Sequence, residues 1–187
     1  TEFNDASTQI IPSLNAMVEL ANDGVQVICT YPNNDAGGRA IISELEKLDS
    51  KNIFGIQVHR SLGRYLYHGV LALAKNESHQ IACVGNSSSG IKETPVFGCP
   101  TVNIGSRQEG RLRGQNVINV DYNASNIVAV VKKCFYDDEF RSQSTATNNP
   151  YYLGDAGKKI ADILTSIPLG KKIICKKMTL RGETKDG

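Results

Sequence analysis

The sequence predicts an α/β fold in which helices cover a parallel β-sheet. Between residues 5 and 130, segments with helical periodicity alternate with short runs that are typical of strands. Short turns separate these segments, as they do in α/β units. Most strand-like runs are rich in Val and Ile and are too short for buried helices. The length of 187 residues suffices for one sizeable core, so we expect one domain over residues 1–167.

Six segments place apolar residues at intervals of three and four, which predicts helices. They are residues 7–22, 38–48, 64–75, 91–97, 125–135 and 158–167. Pro95 conflicts with the fourth helix, because a proline inside a helix costs about 3 kcal/mol, and we expect that helix to begin closer to Glu93.

The predicted strands fill the gaps between these helices. They are residues 25–30, 53–58, 81–84, 101–104 and 117–120. Residues 142–149 are polar, which predicts a hinge or mobile loop, and residues 168–187 form a basic tail.

Composition excludes two classes of partner. The net charge of +2 comes from 21 basic and 19 acidic residues that are mixed along the chain, whereas a nucleic-acid surface needs clustered Lys and Arg. No apolar run approaches the roughly 18 to 20 residues of a membrane span, and no signal segment opens the sequence. We therefore expect neither nucleic-acid nor membrane binding.

The cysteines indicate a reducing compartment. Their number, 5, is odd, they are widely spaced, and they form no Cys-x-x-Cys pair, so neither a disulfide framework nor a zinc site is expected. Cys29 and Cys83 lie in apolar strand-like runs, where free thiols behave as small apolar side chains. These features predict a cytoplasmic protein without a bound metal.

Three polar, glycine-rich turns follow predicted strands, at residues 31–38, 85–90 and 105–114. In parallel sheets, ligands bind at the carboxyl ends of the strands, where the strand order reverses. These turns are therefore the candidate binding site.

The turn with Ser87, Ser88 and Ser89 carries the clearest chemical signal. Hydroxyls and free backbone N–H groups at a helix start bind phosphate oxygens, and the helix dipole favours an anion there. Simple N-capping is the alternative, but a capping box starting at Ser89 needs an acid at position 92, which is Lys92. Glu93 is left unexplained by capping, and its carboxylate is suited to accept hydrogen bonds from a ribose diol.

Two other turns add candidate residues. Arg107 follows Gly105 at a strand end, where a guanidinium can hold a diphosphate by two parallel bonds; a solvated loop is the alternative. Asn33 precedes two glycines, and taken alone it is better explained by a turn before a helix than by a binding role. We expect the three histidines to be structural, because none has a Ser or Cys partner in a nucleophile arrangement. Neither a dinucleotide fingerprint nor a P-loop is present, so no cofactor is expected.

Taken together, the segments at residues 85–93, 100–111 and 114–117 resemble the UDP-N-acetylglucosamine 2-epimerases, particularly their hydrolysing, sialic-acid-type branch. Residues 30–39 and 61–64 support the resemblance, which covers about residues 1–167. It implies a Rossmann-like three-layer fold with a parallel sheet, one half of a glycosyltransferase-B-type fold of two domains. By this resemblance the chain is the second of those domains and a piece of something longer.

The resemblance also implies roles for individual residues. Ser87 and Ser88 would bind the diphosphate of UDP, Glu93 would hold the ribose, and Arg107 would reach the phosphates. Asn33 would line the nucleotide site, and backbone groups near Ser61 would meet the base. No catalytic residue is expected in this chain, because the family's catalytic carboxylates come from the first domain.

The implied reaction is anti elimination of UDP from UDP-N-acetylglucosamine followed by hydration to N-acetylmannosamine. The expected partners are the UDP-sugar substrate, the N-terminal Rossmann-like domain of the same enzyme, and further copies in a homo-oligomer. Gln115 stands where the family usually has a glutamate, and residues 149–156 depart from the family's Asn-Pro-Tyr-Gly-Asp-Gly. Two alternatives stay open: the donor-binding half of a B-type glycosyltransferase, and a non-catalytic nucleotide-sugar binding module.

Overall fold

The computed structural model describes residues 6–170, which form an α/β fold with parallel strands. Residues up to Tyr151 belong to one compact unit, and those from Tyr152 onward belong to a second. In chain order the first unit holds α1 (Ala6–Asn22), β1 (Val27–Thr30), α2 (Gly38–Ser50), β2 (Ile56–His59), α3 (Gly63–Ala72), β3 (Cys83–Gly85), α4 (Ser89–Lys92), β4 (Thr101–Ile104), β5 (Val117–Val120), α5 (Ala124–Tyr136) and α6 (Asp138–Thr145). One-turn 3₁₀ helices follow α3 and α4, at Leu73–Lys75 and Thr94–Phe97.

The strands form two parallel ladders. β1 pairs with β2, and β4 lies between β3 and β5. Among the described residues no strand pairing joins the two ladders. The register aligns the carboxyl ends within each ladder: Thr30 lies opposite His59, and Gly85 lies opposite Asn103. The predicted fold class, α/β with parallel strands in the Rossmann-like manner of one half of a glycosyltransferase-B-type fold, is confirmed.

The core is built around β4, whose four residues are all buried. Because side chains alternate along a strand, Val102 and Ile104 point to one face, where α1 and α5 cover them. Ala16 and Leu20 of α1, one helical turn apart, enter the same cluster. On the other face α4 packs against β3 and β4. Because helices cover both faces of the sheet at β4, all four residues of this strand are buried.

Most predicted elements are found within a few residues of their predicted ends, and two predictions were wrong. Residues 142–145 of the predicted loop belong to α6, which begins after the N-cap Asp137 and buries Phe140 and Ser144. The helix expected over residues 91–97, with a start closer to Glu93, begins earlier, at Ser89. Glu93 is its C-cap, and the second half of the predicted segment is the 3₁₀ helix Thr94–Phe97. Pro95 lies in the first turn of that 3₁₀ helix, where a missing N–H costs little.

The second unit contains α7 (Ala156–Ser166), where the sequence predicts a helix. The predicted boundary after residue 167 stays a prediction, and residues 171–187 of the basic tail lie outside the described part. Within residues 6–170 no helix combines the length and apolar character needed to cross a membrane.

Candidate functional site

Arg107 joins the turns that follow β1, β3 and β4. Its Nη2 donates to Asp35 Oδ2 at 3.0 Å, and its Nη1 donates to the carbonyl of Asn86 at 3.4 Å. The Nε2 of Gln108 donates to the same carbonyl at 2.8 Å. Arg107 is about one-third exposed, so its ion pair with Asp35 contributes about 1 kcal/mol or less. The pair therefore orients the guanidinium more than it stabilises the fold.

The serine turn after β3 presents donors at the same edge. Within residues 6–170, the backbone N–H groups of Ser87 and Ser88 donate to no other group. Ser88 is the N-cap of α4, but its side chain makes no capping hydrogen bond. Ser87 Oγ instead accepts from the backbone N–H of Ser89 at 3.3 Å. The turn thus retains free N–H and hydroxyl donors beside Asn86, whose carbonyl is bound by Arg107.

Glu93 lies directly after α4 and is held by a side chain from α3. The Nε2 of His68 donates to Glu93 Oε2 at 2.7 Å. The expectation that all three histidines are only structural missed this contact with a predicted site residue. Next to His68, the hydroxyl of Tyr67 lies 2.9 Å from that of Ser89. Two neighbouring residues of α3 therefore contact both ends of the short α4 segment.

Asn33 and Ser61 occupy the turns after β1 and β2. Both are exposed. The carbonyl of Asn33 accepts from the backbone N–H of Asp35 at 2.7 Å, which closes the turn that brings Asp35 to Arg107. Ser61 Oγ accepts from the N–H of Gly63 at 3.0 Å, at the start of α3. Asn33 is thus two residues from the Arg107 contact, while Ser61 is placed at the same sheet edge only through the β1–β2 register.

A buried polar network lies beneath the serine turn and Glu93. The hydroxyl of Thr94, with no exposed surface, donates to the Gly90 carbonyl at 2.6 Å. It accepts from Thr101 Oγ1 at 2.9 Å and from Asn116 Nδ2 at 3.0 Å. Asn116 Nδ2 also donates to the carbonyl of Cys99 at 2.8 Å. The network ties α4 and its 3₁₀ extension to β4 and to the residue before β5.

Burial governs the ionisation of the groups behind the site. Desolvation raises the pKa of the Tyr67 phenol above its ordinary value and raises the pKa of the Cys83 thiol to about 11. Both groups are therefore neutral near pH 7 and serve as packing and hydrogen-bonding partners. The chemistry offered to a ligand comes from the donors of the serine turn, the Arg107 guanidinium and the Glu93 carboxylate.

Two hollows of the described surface lie away from these residues. One, of about 600 Å³, lies between α6 and the segment from Ala74 to Ile81. The other, of about 320 Å³, lies at the amino end of the β1–β2 ladder near Phe54. Neither is lined by the predicted site residues, and Ser87 and Arg107 are exposed at the carboxyl-end edge, where a ligand of a two-domain fold would meet them.

The structure thus brings Ser87, Ser88 and Arg107 to one edge, with Glu93 one short helix away. None of these placements tests binding, so the assigned roles stay predictions. The sequence reasoning missed Asp35, Gln108 and His68. Asp35 was visible within the 31–38 turn, but nothing local ties it to Arg107, 72 residues away.

The parallel α/β fold and its polar carboxyl-end edge place the chain in the class of Rossmann-like proteins. The model of the UDP-N-acetylglucosamine 2-epimerase family matches residues 1–165, and the chain belongs to that family.

Named relatives come from several bacteria. A UDP-N-acetylglucosamine 2-epimerase of Neisseria meningitidis serogroup B is 35% identical over 131 residues, covering 67% of this chain and 32% of the relative. A hydrolysing UDP-N,N'-diacetylbacillosamine 2-epimerase of Legionella pneumophila is 30% identical over 153 residues, covering 81% of this chain and 37% of the relative. A hydrolysing GDP/UDP-N,N'-diacetylbacillosamine 2-epimerase of Campylobacter jejuni is 40% identical over 97 residues, or 52% of this chain and 24% of the relative. The chain therefore spans roughly a quarter to two-fifths of these relatives' lengths.

Proposed function

We propose that this chain is the UDP-binding half of a hydrolysing UDP-N-acetylglucosamine 2-epimerase of the cytoplasm. The observation that carries the proposal is the meeting of three carboxyl-end turns through Arg107, beside the free N–H groups of Ser87 and Ser88. Convergent donors of this kind suit a diphosphate. Family membership supplies the nucleotide sugar as the ligand class.

In the proposed reaction, the bond between C1 of the sugar and the β-phosphate oxygen breaks as a base removes the proton from C2. The products of this step are a glycal and UDP. Water then adds across the double bond, and N-acetylmannosamine is released. We assign the base and acid to the partner domain and expect no catalytic residue in this chain.

The contribution of this chain to the chemistry is electrostatic. The diphosphate gains negative charge as the C1–O bond breaks, and donors fixed before the reaction stabilise that charge. Arg107, the N–H groups of Ser87 and Ser88, and the Ser88 hydroxyl supply these donors, while Glu93 accepts from the ribose. Asn33 and Ser61 contribute at the nucleoside end, where the β1 and β2 turns adjoin.

Titration with UDP tests the binding role. We expect the amide resonances of residues 86–89 to shift and affinity to fall at least tenfold in the double variant Ser88→Ala/Arg107→Ala, since each change removes a hydrogen bond to a charged ligand. Arg111→Ala is the matched control, because it removes one charge from the same loop and the exposed Arg111 side chain makes no hydrogen bond or ion pair within residues 6–170. Unmoved resonances or unchanged affinity in the double variant would refute the proposal.

The relatives' names favour a second candidate substrate, a UDP-linked diacetamido sugar. The two substrates are distinguished by assaying both with the chain joined to its N-terminal partner domain. Release of N-acetylmannosamine without any acceptor supports the first and excludes a glycosyltransferase. We expect the 187-residue chain alone to bind UDP weakly and to release no sugar, and turnover by that chain would contradict the division of roles.

A further inference from the structure

The contact between α3 and the end of α4 has no counterpart in the roles assigned above. His68 Nε2 lies 2.7 Å from Glu93 Oε2, and the two side chains are 28% and 42% exposed. An ionised carboxylate only accepts hydrogen bonds, so Nε2 carries the hydrogen. Among the described residues Glu93 Oε1 has no partner. One oxygen of Glu93 is therefore held by the protein, and the other is left for a ligand.

The imidazole is fixed by its neighbours. Its ring centroid lies 5.1 Å from that of Phe97 and 5.8 Å from that of Tyr67. Tyr67 is itself tied to Ser89 at 2.9 Å, within the helix that follows the serine turn. A side chain packed in this way has few rotamers left, so it orients whatever it binds.

We propose that His68 is a positioning residue for nucleoside recognition, which orients the Glu93 carboxylate so that Oε1 meets a ribose hydroxyl. The proposal rests on the UDP-binding role of this chain. Without the His68 bond, Glu93 has no described partner to hold it and must lose side-chain freedom when a ligand binds. His68 thus confers discrimination between a ribose and a sugar that lacks hydroxyls.

The test compares UDP with 2′,3′-dideoxy-UDP by calorimetry on the 187-residue chain. His68→Leu should bind UDP about tenfold more weakly, the loss expected for one hydrogen bond to a charged group, while its affinity for the dideoxy ligand should stay unchanged. His68→Gln should retain most of the affinity for UDP, because its amide nitrogen reaches the place of Nε2. His79→Leu is the matched control, since that histidine is exposed and its side chain makes no hydrogen bond, ion pair or ring contact within the described residues.

The outcomes separate the two proposals. If the unaltered chain binds neither ligand, the UDP-binding role fails and this inference fails with it. If the unaltered chain prefers UDP but His68→Leu weakens both ligands equally, the histidine is only structural and the positioning role alone is overturned. Equal UDP affinity in His68→Leu and the unaltered chain overturns it as well. A loss confined to UDP, restored by His68→Gln, supports it.

Discussion

Replacing Thr94 by valine tests whether the buried polar network supports the site. Thr94 is fully buried, and its hydroxyl makes one donated and two accepted hydrogen bonds. Valine keeps the branched shape but removes all three. Thr101 retains an acceptor in the Cys99 carbonyl at 3.2 Å, so its hydroxyl is not stranded.

The loss of stability expected for Thr94→Val therefore comes from two groups. One N–H of Asn116 Nδ2 loses its partner, and a stranded buried donor costs about 1–3 kcal/mol. The bond to the Gly90 carbonyl contributes about 1 kcal/mol more. We expect Thr94→Val to lower the free energy of unfolding by about 2–4 kcal/mol, the sum of these two ranges.

Urea unfolding measures this change as a lower midpoint with an unchanged m-value. The matched control is Thr145→Val in α6, an exposed threonine whose hydroxyl donates to the Arg141 carbonyl and whose loss should stay within about 0.5 kcal/mol. A loss below about 1 kcal/mol for Thr94→Val at constant m-value would show that the stranded N–H finds another partner, and the reasoning would be refuted.

Two further changes test the backbone and a helix cap. Gly98→Ala should lower the free energy of unfolding by at least about 1–2 kcal/mol in urea, because Gly98 has φ +61° and a new Cβ would lie 2.8 Å from the Cα of Thr145. Gly157 has open space around it, so Gly157→Ala should not lower the free energy of unfolding. Equal effects of the two substitutions would contradict this reasoning. At Asp137, the backbone N–H of Phe140 is the main cause that lowers the carboxyl pKa, so its stabilising contribution is present above the unfolded-state pKa and is lost as the pH falls through the folded value. The stability advantage of the unaltered chain over Asp137→Asn should therefore shrink below about pH 4, and a gap that does not change with pH would contradict the assignment.

Local sequence patterns were sufficient where burial and strand period coincide. β4 and β5 run over the residues that their Val and Ile content predicted. The rule that ligands meet the carboxyl ends of parallel strands also selected the turns that Arg107 joins. In contrast, α6 was missed because residues 142–149 are polar. Its stability depends on the Asp137 cap, the buried Phe140 and the hydrogen bond from Ser144 Oγ to the Phe140 carbonyl. None of these features places apolar residues at the intervals of three and four that predict a helix.

The long-range side-chain partners could not be predicted from the sequence. His68 and Glu93 are 25 residues apart and meet only because α3 packs beside the 3₁₀ extension of α4. Asp35 and Arg107 lie in turns that follow strands of different ladders. Sequence reasoning assigns a residue to a strand end, but the angle at which helices cross decides which side chains touch.

The absence of strand pairing between the two described ladders gives α1 a mechanical role. This helix packs against α2 beside the first ladder and against α5 beside the second, and Ala16 and Leu20 enter the common core. The α1 helix therefore links the two ladders, and the spacing between the Asp35 and Asn86 turns depends on how tightly this helix packs. A substitution that weakens the packing of Leu20 would therefore widen the distance that Arg107 spans between these turns before it disrupted the strand pairing within either ladder.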